Sequence, residues 1–333
     1  MDTFELKPPR LVRSYAIPVD EAVFAGIPSV TALKPLPAMN LMLAAAMDHR
    51  VIGCDLASEI PAEDAGEDAA GLTGTHLNWS HGGWIHALDV HPDGRRVATG
   101  GVDRIVKLWR WGEDEPLAVC AGHEEWVRVL AFSPDAQLLA SAGDDCMVRL
   151  WNVETAEQLA TLDPETSYLD ALAWSPDSTT LYAGGNDGLI HSWDVRQEKL
   201  IGSTDIGNRR NIEDETLNGG FSYPGGIRGM TCSPSGELLA AVGLTSLRVL
   251  NTADGGEVLS REGRGFGVAF HPSSRWLAFS QEKDIVFWDF ESGQECQRVP
   301  ANQLGLFDIA FFDDGRRLAA GGCNGRVDIW DLS

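Results

Sequence analysis

Three stretches of this chain are close copies of one another, set 42 residues apart. Trp109, Trp151 and Trp193 keep that step, as do Asp103, Asp145 and Asp187, and Pro92, Pro134 and Pro176. The text around them repeats in kind: HPDGRRVATGGVDRIVKLW, SPDAQLLASAGDDCMVRLW and SPDSTTLYAGGNDGLIHSW. A fixed period of about 40–45 residues marks a radial or stacked array of one supersecondary unit. At 333 residues the chain also exceeds what one hydrophobic core serves, so either two domains or such an array is expected.

The unit can be read from Trp126 to Val153. WVRVLAF alternates and then turns solidly apolar, as an inner strand buried on both faces does. SPDAQ supplies turn chemistry, with Pro134 fixing φ and Asp135 able to bond its own backbone. QLLASAG is a second strand, GDD a tight turn, CMVRLWNV a third strand, and TAEQ turns into QLATL. Four short antiparallel strands make a propeller blade. Such a blade has two apolar faces and becomes stable only when neighbours cover both.

Composition bounds the partners. With 26 basic and 49 acidic residues the net charge is −23, a field that repels nucleic acid and anionic membranes and favours basic proteins or cations. The same charge also keeps a protein soluble with no partner implied. Cys54, Cys120, Cys146, Cys232, Cys296 and Cys323 form no CxxC pair, which fits free thiols in a reducing compartment. The first 25 residues have no signal-peptide layout, and the apolar run Leu41 to Met47 is too short to span a bilayer. A cytoplasmic protein is expected.

The repeated residues resemble the WD-repeat (WD40) β-propeller family. The resemblance is carried by Gly122-His123 with Trp151-Asn152, by Ser80-His81 with Trp109-Arg110, and by Trp193-Asp194, Trp288-Asp289 and Trp330-Asp331. It implies a buried hydrogen-bonded group in each blade, made of a His before the first strand, a Ser or Thr in the second, an Asp in the next turn and the Trp of the third. Two complete sets are present: His81, Thr99, Asp103 and Trp109; and His123, Ser141, Asp145 and Trp151. The third copy keeps Asp187 and Trp193 but has Glu165 and Ala183 in the other two places.

Weaker copies extend the array. LLAAVGLTSLRVLNTADG has Leu250 in the Trp place, WLAFSQEKDIVFWDFESG follows His271-Pro272, and RLAAGGCNGRVDIWDLS has Asn324 in the Asp place. LMLAAAMDHRVIGCDLASE has Asp48 in the turn and Cys54 in the Trp place. The expectation is one all-β domain, a seven-bladed β-propeller of four-stranded antiparallel blades. Its blades span about 21–79, 80–121, 122–164, 165–206, 225–260, 261–300 and 301–333, the last completed by 10–18. The chain stops after the third strand of its last copy, so the N-terminal LVRSYAI, Leu11 to Ile17, should pair there and close the ring.

The resemblance places partner contacts on the face carrying the blade-to-blade loops. The first strands open at Trp84, Trp126, Tyr168, Gly226, Arg264 and Gly305, followed two residues later by His86, Arg128, Asp170, Arg228, Phe266 and Phe307. By strand alternation the two sets should point the same way. Val102, Asp144 and Asn186 precede the turn aspartates. Trp84, Trp126 and Tyr168 either form an aromatic arc at the channel mouth or pack between blades, and Arg128 and Arg228 either meet a partner or neutralise Asp144 and Asp170.

Two insertions break the step. Gly207 to Gly226 carries Arg209, Arg210 and Tyr223 and joins two blades, as a partner-contact lid or a disordered loop. Ser58 to Gly71 is an acidic loop on the opposite rim, solvated or a dock for a basic segment.

No phosphate-binding loop, HExxH, GxSxG or kinase set occurs, and His49, His76, His86 and His191 show no metal spacing. The glycine pairs Gly100-Gly101, Gly184-Gly185 and Gly321-Gly322 fall at repeat positions, where backbone geometry explains them. No cofactor, metal or catalysis is expected. The leading expectation is a non-catalytic scaffold, a monomeric subunit of a larger complex, binding a protein or peptide of basic or aromatic-anchored character. The alternative is an enzyme or small-ligand protein using the channel mouth.

Overall fold

The computed structural model describes residues 6–16, 29–46, 49–56, 75–77, 79–165, 168–208, 226–301, 306–323 and 325–333. Among them are seven four-stranded antiparallel sheets and no α-helix. The first strand of the chain, β1 (Arg10–Ala16), belongs to the last sheet. Blade 1 comprises β2 (Val30–Leu36), β3 (Leu41–Ala46), β4 (Val51–Asp55) and β5 (Thr75–His76). Blade 2 comprises β6 (Ile85–Val90), β7 (Arg96–Gly101), β8 (Ile105–Arg110) and β9 (Ala118–Ala121). In blade 3 are β10 (Val127–Phe132), β11 (Leu138–Gly143), β12 (Val148–Asn152) and β13 (Gln158–Leu162), and in blade 4 β14 (Leu169–Trp174), β15 (Thr180–Gly185), β16 (Leu189–Asp194) and β17 (Lys199–Asp205). Blade 5 has β18 (Ile227–Cys232), β19 (Leu238–Gly243), β20 (Ser246–Asn251) and β21 (Glu257–Glu262). Blade 6 has β22 (Val268–Phe270), β23 (Trp276–Gln281), β24 (Asp284–Asp289) and β25 (Gln294–Pro300). Blade 7 is β26 (Leu306–Phe312), β27 (Arg317–Gly322), β28 (Arg326–Asp331) and β1.

The first strands β2, β6, β10, β14, β18, β22 and β26 touch in that order, and β26 touches β2, so they form a closed ring around a channel. The apolar residues divide among the interfaces between neighbouring blades, where a blade's two oily faces must be covered. Trp109 packs with Leu36 and Leu43 of blade 1, Trp151 with Ala98 and Val106 of blade 2, and Trp193 with Ala140 and Leu150 of blade 3. Leu250, Trp288, Trp330 and Cys54 occupy the same place at the remaining interfaces. Each faces an apolar residue of its second strand in register, for example Leu139 opposite Trp151, Leu239 opposite Leu250 and Met42 opposite Cys54. Where Leu250 and Cys54 stand, the place therefore keeps its burial and loses only the indole.

Ring closure follows the expected pairing. β1 lies antiparallel on β28, with Leu11 opposite Trp330 and Tyr15 opposite Val327. Ser14 Oγ donates to the Asp328 carboxylate, and Arg326 Nε donates to Ser14 Oγ at 2.8 Å. The strand also grips blade 1, because Tyr15 OH and an Arg13 guanidinium N–H (2.8 Å) both donate to the Asp55 carbonyl. One segment thus satisfies the exposed edge of β28 and staples the first blade to the last.

The insertion at 58–71 lies outside the described residues, as do Arg209, Arg210, Tyr223, Gly305, Asp48 and Asn324.

Candidate functional site

The channel mouth is built by a recurring irregularity. In blades 1–5 and 7 the pairing of the first two strands skips one residue near its start, and the skipped residues are Thr31, His86, Arg128, Asp170, Arg228 and Phe307. A bulge leaves its extra residue unpaired and re-aims the side chain. In blade 6 the same place is held by Phe266, where Ser280 Oγ accepts the N–H groups of Phe266 (2.8 Å) and Gly267 (3.0 Å). One side chain from each blade thereby lines a cavity of about 110 Å³ at the mouth. Below it a channel of about 470 Å³ continues between all seven first strands.

Alternation therefore does not govern this stretch. Trp84, Trp126 and Tyr168 sit outside the lining of the mouth, and the bulge between them and the second set is the reason. A close approach of backbones accompanies it in blades 2 to 4. A Cβ added at Gly101, Gly143 or Gly185 would lie 2.0, 1.9 or 1.8 Å from the carbonyl oxygen of Trp84, Trp126 or Tyr168. The same carbonyls accept the N–H groups of Val102, Asp144 and Asn186.

The opening aromatics differ in their surroundings. Trp126 stacks on His86 of the neighbouring blade, with centroids 5.8 Å apart and planes at 19°, and Trp84 meets His86 edge-on at 6.4 Å. The Arg128 guanidinium lies over Trp126 at 4.8 Å. Tyr168 is instead 45% exposed, and Glu124, Glu125, Asp163 and Glu165, on the segments that lead into the first strands of blades 3 and 4, are exposed as well. Exposed Arg264 lies over Phe266 at 5.0 Å, and Phe266 meets Phe307 edge-to-face at 5.3 Å. Thr31 is occupied, donating to the Ile85 carbonyl at 2.9 Å.

The charges of the ring are paired. Arg128 holds Asp144 through two bonds of 2.8 Å, and Arg228 reaches Asp170 across the blade boundary at 2.5 Å. Burial pushes the Asp170 carboxyl up, against the pull of Arg228 and Arg128. His86 is pushed down to about 3 by burial and then by Arg128, so its imidazole is uncharged at neutral pH. Asn186 Oδ1 and His86 Nε2 are buried without a hydrogen-bond partner among the described residues. Deeper in the channel, Lys34 lies 3.4 Å from Asp89 and is pushed up by it, while burial raises Asp308 and Lys34 opposes that rise. Asp89 accepts the Phe132 N–H (2.7 Å) and Asp308 the Leu33 N–H (2.8 Å), each tying its blade to the next.

The two sets named from the repeat are assembled as hydrogen-bonded chains. In blade 2, Trp109 Nε1 donates to Thr99 Oγ1 (2.7 Å), which meets His81 Nε2 (2.7 Å), and His81 Nδ1 lies 2.9 Å from Asp103. In blade 3 the distances are 2.8 Å from Trp151 to Ser141, 2.6 Å from Ser141 to His123, and 2.8 Å from His123 to Asp145. Blade 4 uses His191 in place of the absent partner. It joins Asp187 and Ser203, both at 3.0 Å, and its ring packs 5.8 Å from Trp193. Blade 5 uses Asn208, whose Oδ1 accepts from Thr245 N, Thr245 Oγ1 and Ser246 N, while its Nδ2 donates to Ser246 O at 2.9 Å.

Four segments, residues 74–110, 114–152, 156–194 and 293–331, match the family described as WD domain, G-beta repeat. Each runs from the outer strand of one blade through three strands of the next, the frame in which β1 supplies the missing outer strand of blade 7. The chain is a WD-repeat β-propeller. It is similar to the Small ribosomal subunit protein RACK1y of Oryza sativa subsp. japonica, 26% identical over 121 residues, 33% of this chain and 36% of that protein. It is also similar to Protein HIRA of Dictyostelium discoideum, 45% identical over 47 residues, 14% of this chain and 4% of that one. The propeller thus spans about a third of the length of the first relative and a small fraction of the second. Among the described residues no helix is long and apolar enough to cross a membrane, and no cluster of His, Cys, Asp or Glu has metal-ligand geometry.

Proposed function

We propose that this propeller is a protein-interaction platform that receives a partner polypeptide on the face carrying the channel mouth. The observation that carries the reading is the ring itself: seven side chains of five types, one per blade, six of them turned by bulged first strands into one constellation. A scaffold role explains why the interface residues between blades repeat while these residues vary. Arg128 and Arg228 are held by ion pairs and His86 by Trp126, so the surface loses little side-chain entropy on binding. Exposed Tyr168 together with exposed Glu124, Glu125, Asp163 and Glu165 suits a basic segment of the partner, as does the net charge of −23. The limited similarity to a ribosomal subunit protein agrees with a role as one subunit of an assembly, reached in the cytoplasm without nucleic-acid contacts of its own.

The test uses Trp126→Ala with Arg128→Ala. Removing an aromatic and an Arg from the centre of an interface typically costs at least about 2 kcal/mol, roughly 30-fold in affinity. Partner capture should fall by that factor while the circular dichroism spectrum stays unchanged. A photoreactive side chain at Tyr168 should crosslink the partner, and one at Val258 on the outer strand of blade 5 should not. Capture that survives the double substitution, or crosslinking through Val258 alone, rejects this face.

A further inference from the structure

The mouth carries a more specific message about what enters it. Of its seven lining residues, the three that bear charge are engaged: Arg128 with Asp144, and Arg228 with Asp170. Their charges cancel. A cationic group from a partner would face two guanidinium groups whose carboxylates are already taken, and an anionic group would have to displace a bidentate carboxylate from Arg128. Breaking either pair inside the mouth leaves a charge without its counter-ion, which costs more than the new contact returns.

The remaining lining is uncharged. Phe266 and Phe307 present an edge-to-face aromatic wall, Thr31 has its hydroxyl satisfied, and His86 is a neutral imidazole flanked by Trp84 and Trp126. His86 lines the mouth, and its Nε2 is buried without a hydrogen-bond partner among the described residues. An imidazole that lines the mouth without a hydrogen bond in the free protein gains one from a ligand hydroxyl that reaches a ring nitrogen. Size agrees with this choice, because the mouth of about 110 Å³ holds one six-membered ring above the channel of about 470 Å³ that the same side chains head.

We infer that the channel mouth takes an uncharged phenolic group, its ring against Phe266 and Phe307 and its hydroxyl bonded to His86. On the platform reading, which this inference deepens, the group is a tyrosine side chain of the partner, with basic neighbours that meet the acidic rim of blades 3 and 4. The recognition is then divided: charge is read outside the mouth and shape inside it.

The probes are p-cresol, toluene, n-butylammonium and butyrate, titrated into the full chain and followed by tryptophan fluorescence and the imidazole ¹⁵N shifts of His86. p-Cresol should bind saturably with a Kd of about 1 mM, the range for a ligand of its few heavy atoms. Phe266→Ala should weaken it about tenfold, and His86→Phe should bring p-cresol down to the affinity of toluene. The source is separated by a second arm, a Lys-Tyr-Lys peptide against its Lys-Phe-Lys analogue. A preference for the tyrosine peptide over p-cresol that disappears when Glu124 and Glu125 are changed to Gln assigns a polypeptide; equal binding of p-cresol and peptide assigns a free phenol. Tighter binding of butylammonium or butyrate than of p-cresol overturns the inference, as does toluene binding as well as p-cresol or a flat p-cresol titration. p-Cresol binding together with failed partner capture would sustain the pocket and reject the platform.

Discussion

Replacing His123 by alanine tests whether the buried chains hold the blades. The His123 side chain is fully buried, with Nδ1 2.8 Å from Asp145 and Nε2 2.6 Å from Ser141. The donor order is set from one end. Trp151 has only an N–H to give, so Ser141 Oγ accepts it and directs its own proton to His123 Nε2, leaving Nδ1–H for the carboxylate. Deleting the imidazole removes one neutral bond, worth about 1 kcal/mol, and one bond to a charged group, worth about 1.5–3 kcal/mol. Asp145 keeps weaker support from Glu124 N (3.3 Å), Met147 N (3.2 Å) and Arg149 (3.4 Å), so the loss settles near 3 kcal/mol, about the middle of that range. Over 333 residues an unfolding entropy of about 2.1 cal/mol/K per residue turns this into a fall in Tm of about 4 °C. Scanning calorimetry reads it directly. His191→Ala should lose a comparable amount through its bonds to Asp187 and Ser203, whereas Glu165→Ala, whose exposed side chain stands where the repeat has a histidine, should stay within about 0.5 kcal/mol. Equal losses for His123→Ala and Glu165→Ala would refute the assignment of these chains as supports.

Deleting residues 1–16 should lower Tm by more than any of these substitutions, because it strips β28 of its partner and removes Tyr15 and Arg13 from Asp55. An unchanged melting transition would show that the ring does not depend on β1, and a synthetic peptide of residues 6–16 added in trans should recover part of the loss. Acid should weaken the fold through groups whose folded pKa lies below the unfolded one. For Asp103 and Asp145 burial raises the pKa, but the bonds from His81 and His123 together with backbone N–H groups more than offset it. Asp93 is likewise opposed by burial, yet the Arg95 and Arg96 N–H groups and the Arg96 side chain bring it to about 2. Their stabilisation is present above the ordinary carboxylate range and is lost as pH falls through the folded values. Tm measured from pH 6 to pH 2 should therefore decline, with a shallower slope in the Asp103→Asn, Asp145→Asn double variant; parallel curves would assign the decline elsewhere.

What could be read from the chain depended on whether the physical constraint is local in sequence. The Trp place is one such constraint, because it must cover the preceding blade whatever residue fills it. Burial alone therefore located Leu250 and Cys54 by spacing. The hydrogen-bonded chains were legible only where the histidine stands in its usual position. An Asp in a turn needs a donor, yet it does not matter from which strand the donor comes. Hence His191, four residues beyond Asp187 on the third strand, and Asn208, on the segment joining blades 4 and 5, went unnoticed. The ring was half legible. Its residues stand six before the turn proline or its equivalent, and the same rule applied to Pro37 reaches Thr31, which was passed over.

The direction of the opening residues departs from strand alternation at the bulge, and glycines mark that place in blades 2 to 4. Gly101, Gly143 and Gly185 are absent from the positive-φ positions, so they are not required for left-handed backbone. They are required because any Cβ would strike the carbonyl that opens the neighbouring strand. The same carbonyls bond the N–H of the turn, and the bulge two residues later also occurs in blade 1 with Ala46 in the glycine's place, so the glycine fits the close approach without being the cause of the bulge. The irregular pairing of the first two strands, rather than the glycine, thus sets where the skipped side chain points. In this propeller the repeated strand pairing does more than support the blades: it places one side chain of each bulged blade in the mouth, whichever residue stands there.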